Sequence, residues 1–129
     1  MRSRAAAAVA LLALAAAWGT LPGCRTHARR EAERLTGGNV ERGRAAIARE
    51  GCGACHTIAG VPGADGMVGP PLDRLANRVY IAGRLVNDPP TLTAWIRDPQ
   101  HLRNPTAMPP TGVGAAEARD IAAYLYTLR

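Results

Sequence analysis

The chain has 129 residues and a formal charge of +6, from 16 basic and 10 acidic residues; 47% of its side chains are hydrophobic, only 4% are aromatic, and none is Phe. That length holds one domain, and the hydrophobic share excludes a chain disordered throughout. The basic residues are all Arg and lie scattered among acids. Without a basic stretch interleaved with aromatics, they argue against nucleic-acid binding and leave a mild attraction to acidic surfaces.

Arg2 and Arg4 precede a short Ala-rich apolar run from Ala5 to Trp18. This is the pattern of an export leader. The run falls short of the ~20 apolar residues of a membrane-spanning helix. Leu21-Pro22-Gly23-Cys24 resembles a bacterial lipobox, in which the Cys becomes the lipidated first residue, although Pro22 is unusual there. Cleavage near Ala15-Ala16-Ala17 and an uncleaved anchor are the alternatives. All three place the domain in the periplasm or at the outer face of the cytoplasmic membrane. Residues 1–24 are therefore expected to be leader and lipobox, 25–38 a charged tether with no apolar stripe to bury, and 39–129 the folded domain. Without the leader, about 105 residues remain, poor in large side chains. Something other than side chains is expected to fill the centre.

Asn39 is a candidate N-cap for a helix from Val40 to about Glu50, with Val40, Gly43 and Ile47 on one face and Gly51 ending it. Residues 57–71 are broken by Gly and Pro and predict loop. A short helix is expected near Leu72–Val79. Another follows Asp88-Pro89-Pro90, with Pro in its first turn, and stops at Pro99. Residues 99–114 again predict loop. A last helix, Ala115–Leu128, repeats Ile121, Tyr124, Leu125 and Leu128 on one face, with Glu117 and Asp120 early, where they suit the helix dipole. No strand pattern stands out. The picture is all-α: short helices joined by loops long enough to need a functional reason.

Cys52-Gly53-Ala54-Cys55-His56 is the C-x-x-C-H signature of c-type haem attachment. Two thiols at this spacing can each form a thioether to one haem vinyl group, and the adjacent His then reaches the iron. A structural zinc site would need a second ligand pair. A thioredoxin-like dithiol would sit near a βαβ pattern. A plain disulfide does not call for His56. One covalently attached haem c is therefore expected. The iron's sixth position falls to Met67, Met108, His27, His101 or no side chain at all. His27 lies in the charged tether. Met67 follows His56 too closely to cross the porphyrin and suits core or loop filling. Met108 lies in Asn104-Pro105-Thr106-Ala107-Met108-Pro109-Pro110, where prolines restrict the backbone, and it is the favoured donor. His101 and an open site stay as alternatives.

From residue 36 onward the chain resembles the class I c-type cytochromes, especially small bacterial ones and the cytochrome c domain fused to subunit two of some haem-copper oxidases. The resemblance rests on an ordered set: an N-terminal helix, Cys52–His56, Gly69-Pro70-Pro71-Leu72, Trp95-Ile96-Arg97-Asp98-Pro99, Met108-Pro109 and a closing helix. It implies the cytochrome c fold, wrapped around the haem. Cys52 and Cys55 would hold the haem, with His56 and Met108 as axial ligands. The Pro70 carbonyl would accept the ring N–H of His56. Arg78, Trp95 and Thr106 would approach the haem propionates. Because terminal helices cross in this family, Gly43 would allow close approach to the face bearing Tyr124 and Leu125.

The function expected is one-electron transfer by a lipid-tethered, monomeric carrier, not an enzyme. Its redox partners would be a terminal oxidase, a quinol–cytochrome c reductase or a periplasmic dehydrogenase. The alternatives are a haem enzyme or gas-binding sensor with an open or displaceable sixth position, and a subunit whose haem only holds a complex together.

Overall fold

The computed structural model describes residues 23–129. The expected leader, up to Pro22, lies outside them. Among the described residues, no helix is long and apolar enough to cross a membrane.

Helix α1 (Gly23–Thr36) occupies the stretch expected to be a tether. Ion pairs one turn apart, Arg29–Glu33 at 3.3 Å and Glu31–Arg34 at 2.7 Å, favour the helical form. The expectation that nothing here is buried is corrected. Ala32 is fully buried and Thr36 is 7% exposed. Side chains this small need no broad apolar stripe to let a helix lie close to its neighbour. The helix stops where Gly37 turns left-handed, at φ +66°.

Helix α2 (Val40–Arg49) begins where expected, because Asn39 accepts the Arg42 N–H at 2.9 Å. Glu33 of α1 adds to the cap, accepting from the Val40 N–H at 3.1 Å and from the Asn39 side chain at 3.2 Å. A carboxylate at a helix N-terminus also meets the positive end of the dipole. Val40, Gly43, Ala46 and Ile47 form the buried face of α2.

After α2 come a 3-10 turn, Cys52–Ala54, and a long loop. A second 3-10 turn, Leu75–Asn77, stands where a helix over Leu72–Val79 was expected. Then β1 (Tyr80–Ile81) and β2 (Leu85–Val86) pair antiparallel, with Tyr80 opposite Val86 and Ile81 opposite Leu85. Strands of two residues are too short to show alternation in the sequence. Helix α3 (Pro89–Arg97) is capped by Asp88. A one-turn helix, α4 (Pro99–Leu102), opens the stretch expected to be loop, capped by Asp98, which accepts the His101 N–H at 3.1 Å.

The closing helix α5 (Ala115–Leu125) is shorter than the expected Ala115–Leu128 and is the core of the domain. Helices α1, α2 and α3 all pack on it. That is why every residue from Asp120 to Tyr126 is buried, and not one stripe alone. The crossing with α2 lies one turn earlier than expected. A Cβ at Gly43 would collide with the Asp120 carbonyl and press on Ile121, so Gly43 approaches the expected face one turn before Tyr124 and Leu125.

Candidate haem site

The Cys52–His56 turn follows directly from α2. Gly51, at φ +71°, reverses the chain there, a conformation that favours Gly. The His56 N–H then donates to the Cys52 carbonyl at 3.0 Å, which places both thiols and the imidazole on one compact turn. The loop that follows folds back over it. Gly66 N–H donates to the Gly53 carbonyl at 3.0 Å, and Gly69 N–H to the Cys55 carbonyl at 2.8 Å. Both close approaches require glycine. A Cβ at Gly66 would strike the Ala54–Cys55 peptide, and one at Gly69 would strike the His56 ring.

The orientation of His56 follows from one hydrogen bond. Its Nδ1 lies 2.7 Å from the Pro70 carbonyl oxygen. A carbonyl only accepts, so Nδ1 carries the proton and Nε2 keeps its lone pair free for a metal. Cys52 and Cys55 are half-buried and are not paired in a disulfide. Burial pushes the Cys52 thiol above its ordinary value.

A cavity of about 510 Å³ adjoins this turn. Cys52, Cys55, His56 and Met108 all line it, and most of the remaining wall is apolar, including Ile47, Leu92, Ile96 and Ile121. Two thiols, a nitrogen with a free lone pair and a thioether around one apolar space suit a flat, hydrophobic, iron-bearing macrocycle. The residues present fit the haem that the motif implies.

The other expected site residues fall as follows. Trp95 on α3 lines the cavity and is half-buried. Arg78 lines it too, with its guanidinium donating to the carbonyls of Pro71 and Asp73, the latter at 2.9 Å. Thr106 also lines it, and its hydroxyl accepts the Met108 N–H at 3.4 Å. Met67 is 91% exposed at a loop tip, which corrects its reading as core or loop filler. His27 and His101 are exposed and do not line the cavity.

Three residues here carried no signal in the sequence. Arg103 lines the cavity and donates to the Ala82 carbonyl. Asn87 donates to the carbonyls of Leu75 at 2.8 Å and Arg78 at 2.9 Å, and accepts from the Tyr126 hydroxyl at 3.0 Å. It thereby ties the backbone of the cavity wall to the end of α5. Gln100 donates to the carbonyls of Thr106 at 2.8 Å and Met108 at 3.1 Å. A lone amide in a helix or loop has no spacing rule that would reveal such partners.

Comparison with known proteins agrees with this geometry. The family model described as Cytochrome c matches residues 40–129. The chain is similar to cytochrome c oxidase subunit 2 of Alkalihalophilus pseudofirmus, 33% identical over 100 residues. That match covers 77% of this chain but only 28% of the relative, so the chain spans little more than a quarter of that protein's length. No solved structure matches it. Since the family match runs unbroken from α2 through the attachment turn and Met108 to the end of α5, the chain belongs to the cytochrome c family, has its fold, and binds covalently attached haem c.

Proposed function

We propose that this chain is a single-electron carrier of the bacterial envelope, tethered through a lipid on Cys24, with its haem iron held between His56 and Met108. Haem-based electron transfer is the coarse function of the family to which it belongs. The carrying observation is that one apolar cavity collects both thiols, the imidazole of His56 and the thioether of Met108.

When bound, the haem supplies a reversible one-electron change between Fe(III) and Fe(II). The chain's residues set the conditions for it. Cys52 and Cys55 fix the haem by thioether bonds. The Pro70 carbonyl holds the His56 ring through Nδ1, which would leave Nε2 as the donor for the iron and raise its basicity. The Met108 thioether would be a soft ligand that favours the ferrous state and raises the potential. The apolar wall acts in the same direction by disfavouring the net positive charge of the ferric site. If His56 and Met108 both held the iron, no place would remain at it for a substrate, which favours a carrier over an enzyme.

The lipobox-like Leu21–Cys24 supports the tether, and the basic n-region supports export. A terminal oxidase is the favoured acceptor, because the similar protein is named as an oxidase subunit. A quinol–cytochrome c reductase or a periplasmic dehydrogenase is the matching donor. The protein acts as a monomer with one haem.

The test is the optical spectrum of the protein expressed in the envelope, oxidised and reduced, with and without carbon monoxide. We expect low-spin iron in both states, slight response to carbon monoxide, and a far-red Met-to-iron band that Met108→Ala abolishes. High-spin iron, or ready binding of carbon monoxide, would sink the closed-site carrier. Separately, wild-type protein that takes up no labelled fatty acid, where Cys24→Ser protein likewise takes up none, would sink the lipid tether.

A further inference from the structure

The loop that carries Met108 has few regular hydrogen bonds to hold it. Residues 103–114 contain neither helix nor strand, and Pro105, Pro109 and Pro110 have no backbone N–H to donate. A thioether is also a weak, uncharged donor. Something must hold this loop against the iron.

We propose that Gln100 is a positioning residue for the sixth ligand, acting as a clamp on the Met108 loop. Its carboxamide nitrogen reaches two carbonyls of that loop at once, Thr106 at 2.8 Å and Met108 at 3.1 Å. The orientation of the amide follows from its partners. Both are carbonyl oxygens, which only accept, so the NH₂ end must face them and uses one hydrogen for each. Gln100 itself stands on α4, whose first turn is fixed by Asp98. It is half-buried, so water competes poorly for its hydrogens. Thr106 completes the hold from within the loop, accepting the Met108 N–H at 3.4 Å. The two carbonyls that flank Ala107 are thus tied to one rigid turn, and the backbone next to the ligating side chain cannot swing away without breaking both bonds.

This role rests on Met108 as the axial ligand. It predicts that Gln100 sets how often the iron is left open. Carbon monoxide reports that population, because its apparent affinity scales with the fraction of ferrous protein in which Met108 has left the iron. The experiment compares the wild-type holoprotein with Gln100→Ala and Gln100→Glu. Glutamate has nearly the same shape as glutamine but would aim a carboxylate at two carbonyl oxygens. Thr111→Val serves as the control. It removes both hydrogen bonds of the Thr111 hydroxyl, donated to the Ile96 carbonyl at 2.7 Å and accepted from the Val113 N–H at 3.4 Å, further along the same loop, without touching the carbonyls of Thr106 or Met108.

We expect both Gln100 variants to incorporate haem and to bind carbon monoxide about tenfold more tightly than wild type, equivalent to about 1.4 kcal/mol. Their far-red band should weaken, more in Gln100→Glu, while Thr111→Val stays near wild type. Unchanged affinity and band in both Gln100 variants would overturn the clamp. An equal shift in Thr111→Val would also overturn it, since the effect would then be general loosening of the loop. A wild-type protein with no far-red band would instead refute Met108 as ligand, and the clamp with it.

Discussion

Arg42 and Asp120 join the second helix to the last one. Nε of Arg42 lies 2.7 Å from one carboxylate oxygen of Asp120, and Nη2 lies 2.8 Å from the other. The same carboxylate accepts the Asn39 N–H at 2.7 Å. A single buried acid thus ties the start of α2 to the middle of α5, beside the glycine at which the two helices touch.

These hydrogen bonds, that from Arg42 first, hold the Asp120 carboxyl below the ordinary aspartate value. A carboxyl lowered on folding contributes stability that is fully present above the unfolded value of about 4, and lost as pH falls through its folded value. Asp120→Asn is therefore expected to flatten the acid limb of the stability curve below about pH 4. At neutral pH it should cost about 1–2 kcal/mol, mostly from weakened capping of Asn39, because Arg42 is exposed and its pairing is screened. Thermal melts of the holoprotein across pH test this. An acid limb identical to wild type would show that another carboxylate governs it.

The alkaline limb is expected to report on Tyr126. Burial, with the charge of Asp88 adding to it, pushes the phenol from 10.0 up to about 12. A phenol raised on folding contributes stability that is present below the unfolded value and lost as pH rises towards the folded one. Stability should therefore fall between about pH 10 and 12, and Tyr126→Phe should flatten that fall. The check is a spectrophotometric phenolate titration beside denaturant melts. Ionisation of all three tyrosines near pH 10 in the folded protein would count against it.

Gly69 lies against the His56 imidazole so closely that a Cβ would strike it. Gly69→Ala is expected to tilt the ring and stretch its bond to Pro70. The ligand would then lose basicity and the ferrous state would be favoured, so the midpoint potential should rise while the protein remains folded. Overpacking at such a site costs about 1–3 kcal/mol. Potentiometry with a melt of the same sample separates the two effects, and an unchanged potential would show that the ring accommodates the methyl.

The haem-free chain is expected to lack a stable fold. The cavity measures about 510 Å³. At about 24 cal/mol per Å³, leaving it unfilled costs at most about 12 kcal/mol, which is comparable to the whole stability of a small domain. Cys52→Ala/Cys55→Ala protein without haem should show no cooperative thermal transition. A cooperative one would mean that the side-chain core around α5 suffices by itself.

Much of the site was legible in sequence because its signals are local. Cys52, Cys55 and His56 lie within five positions, and their spacing alone names the chemistry. Asn39 acts on the first turn of the helix that it precedes, so its capping role can be read from its neighbours. The Pro70 contact with His56 came from the resemblance, not from any rule of spacing.

What the sequence by itself determined is therefore the covalent haem and the order of the main helices. Tertiary structure alone decided which distant groups meet. Asp120 was legible as an acid suited to a helix dipole, but its bond to Arg42 spans 78 positions. Gly43 was legible as a close-approach residue, but its register against Asp120 depends on how two helices cross. Gln100 carries nothing in its neighbourhood to show that it holds Met108. The helix at residues 23–36 buries only small side chains, so no hydrophobic period announces its docking on α5. Periodicity and caps act within a turn or two of the chain. Hydrogen bonds and close packing between segments depend on where folding brings them, and one sequence read along its length does not contain that distance.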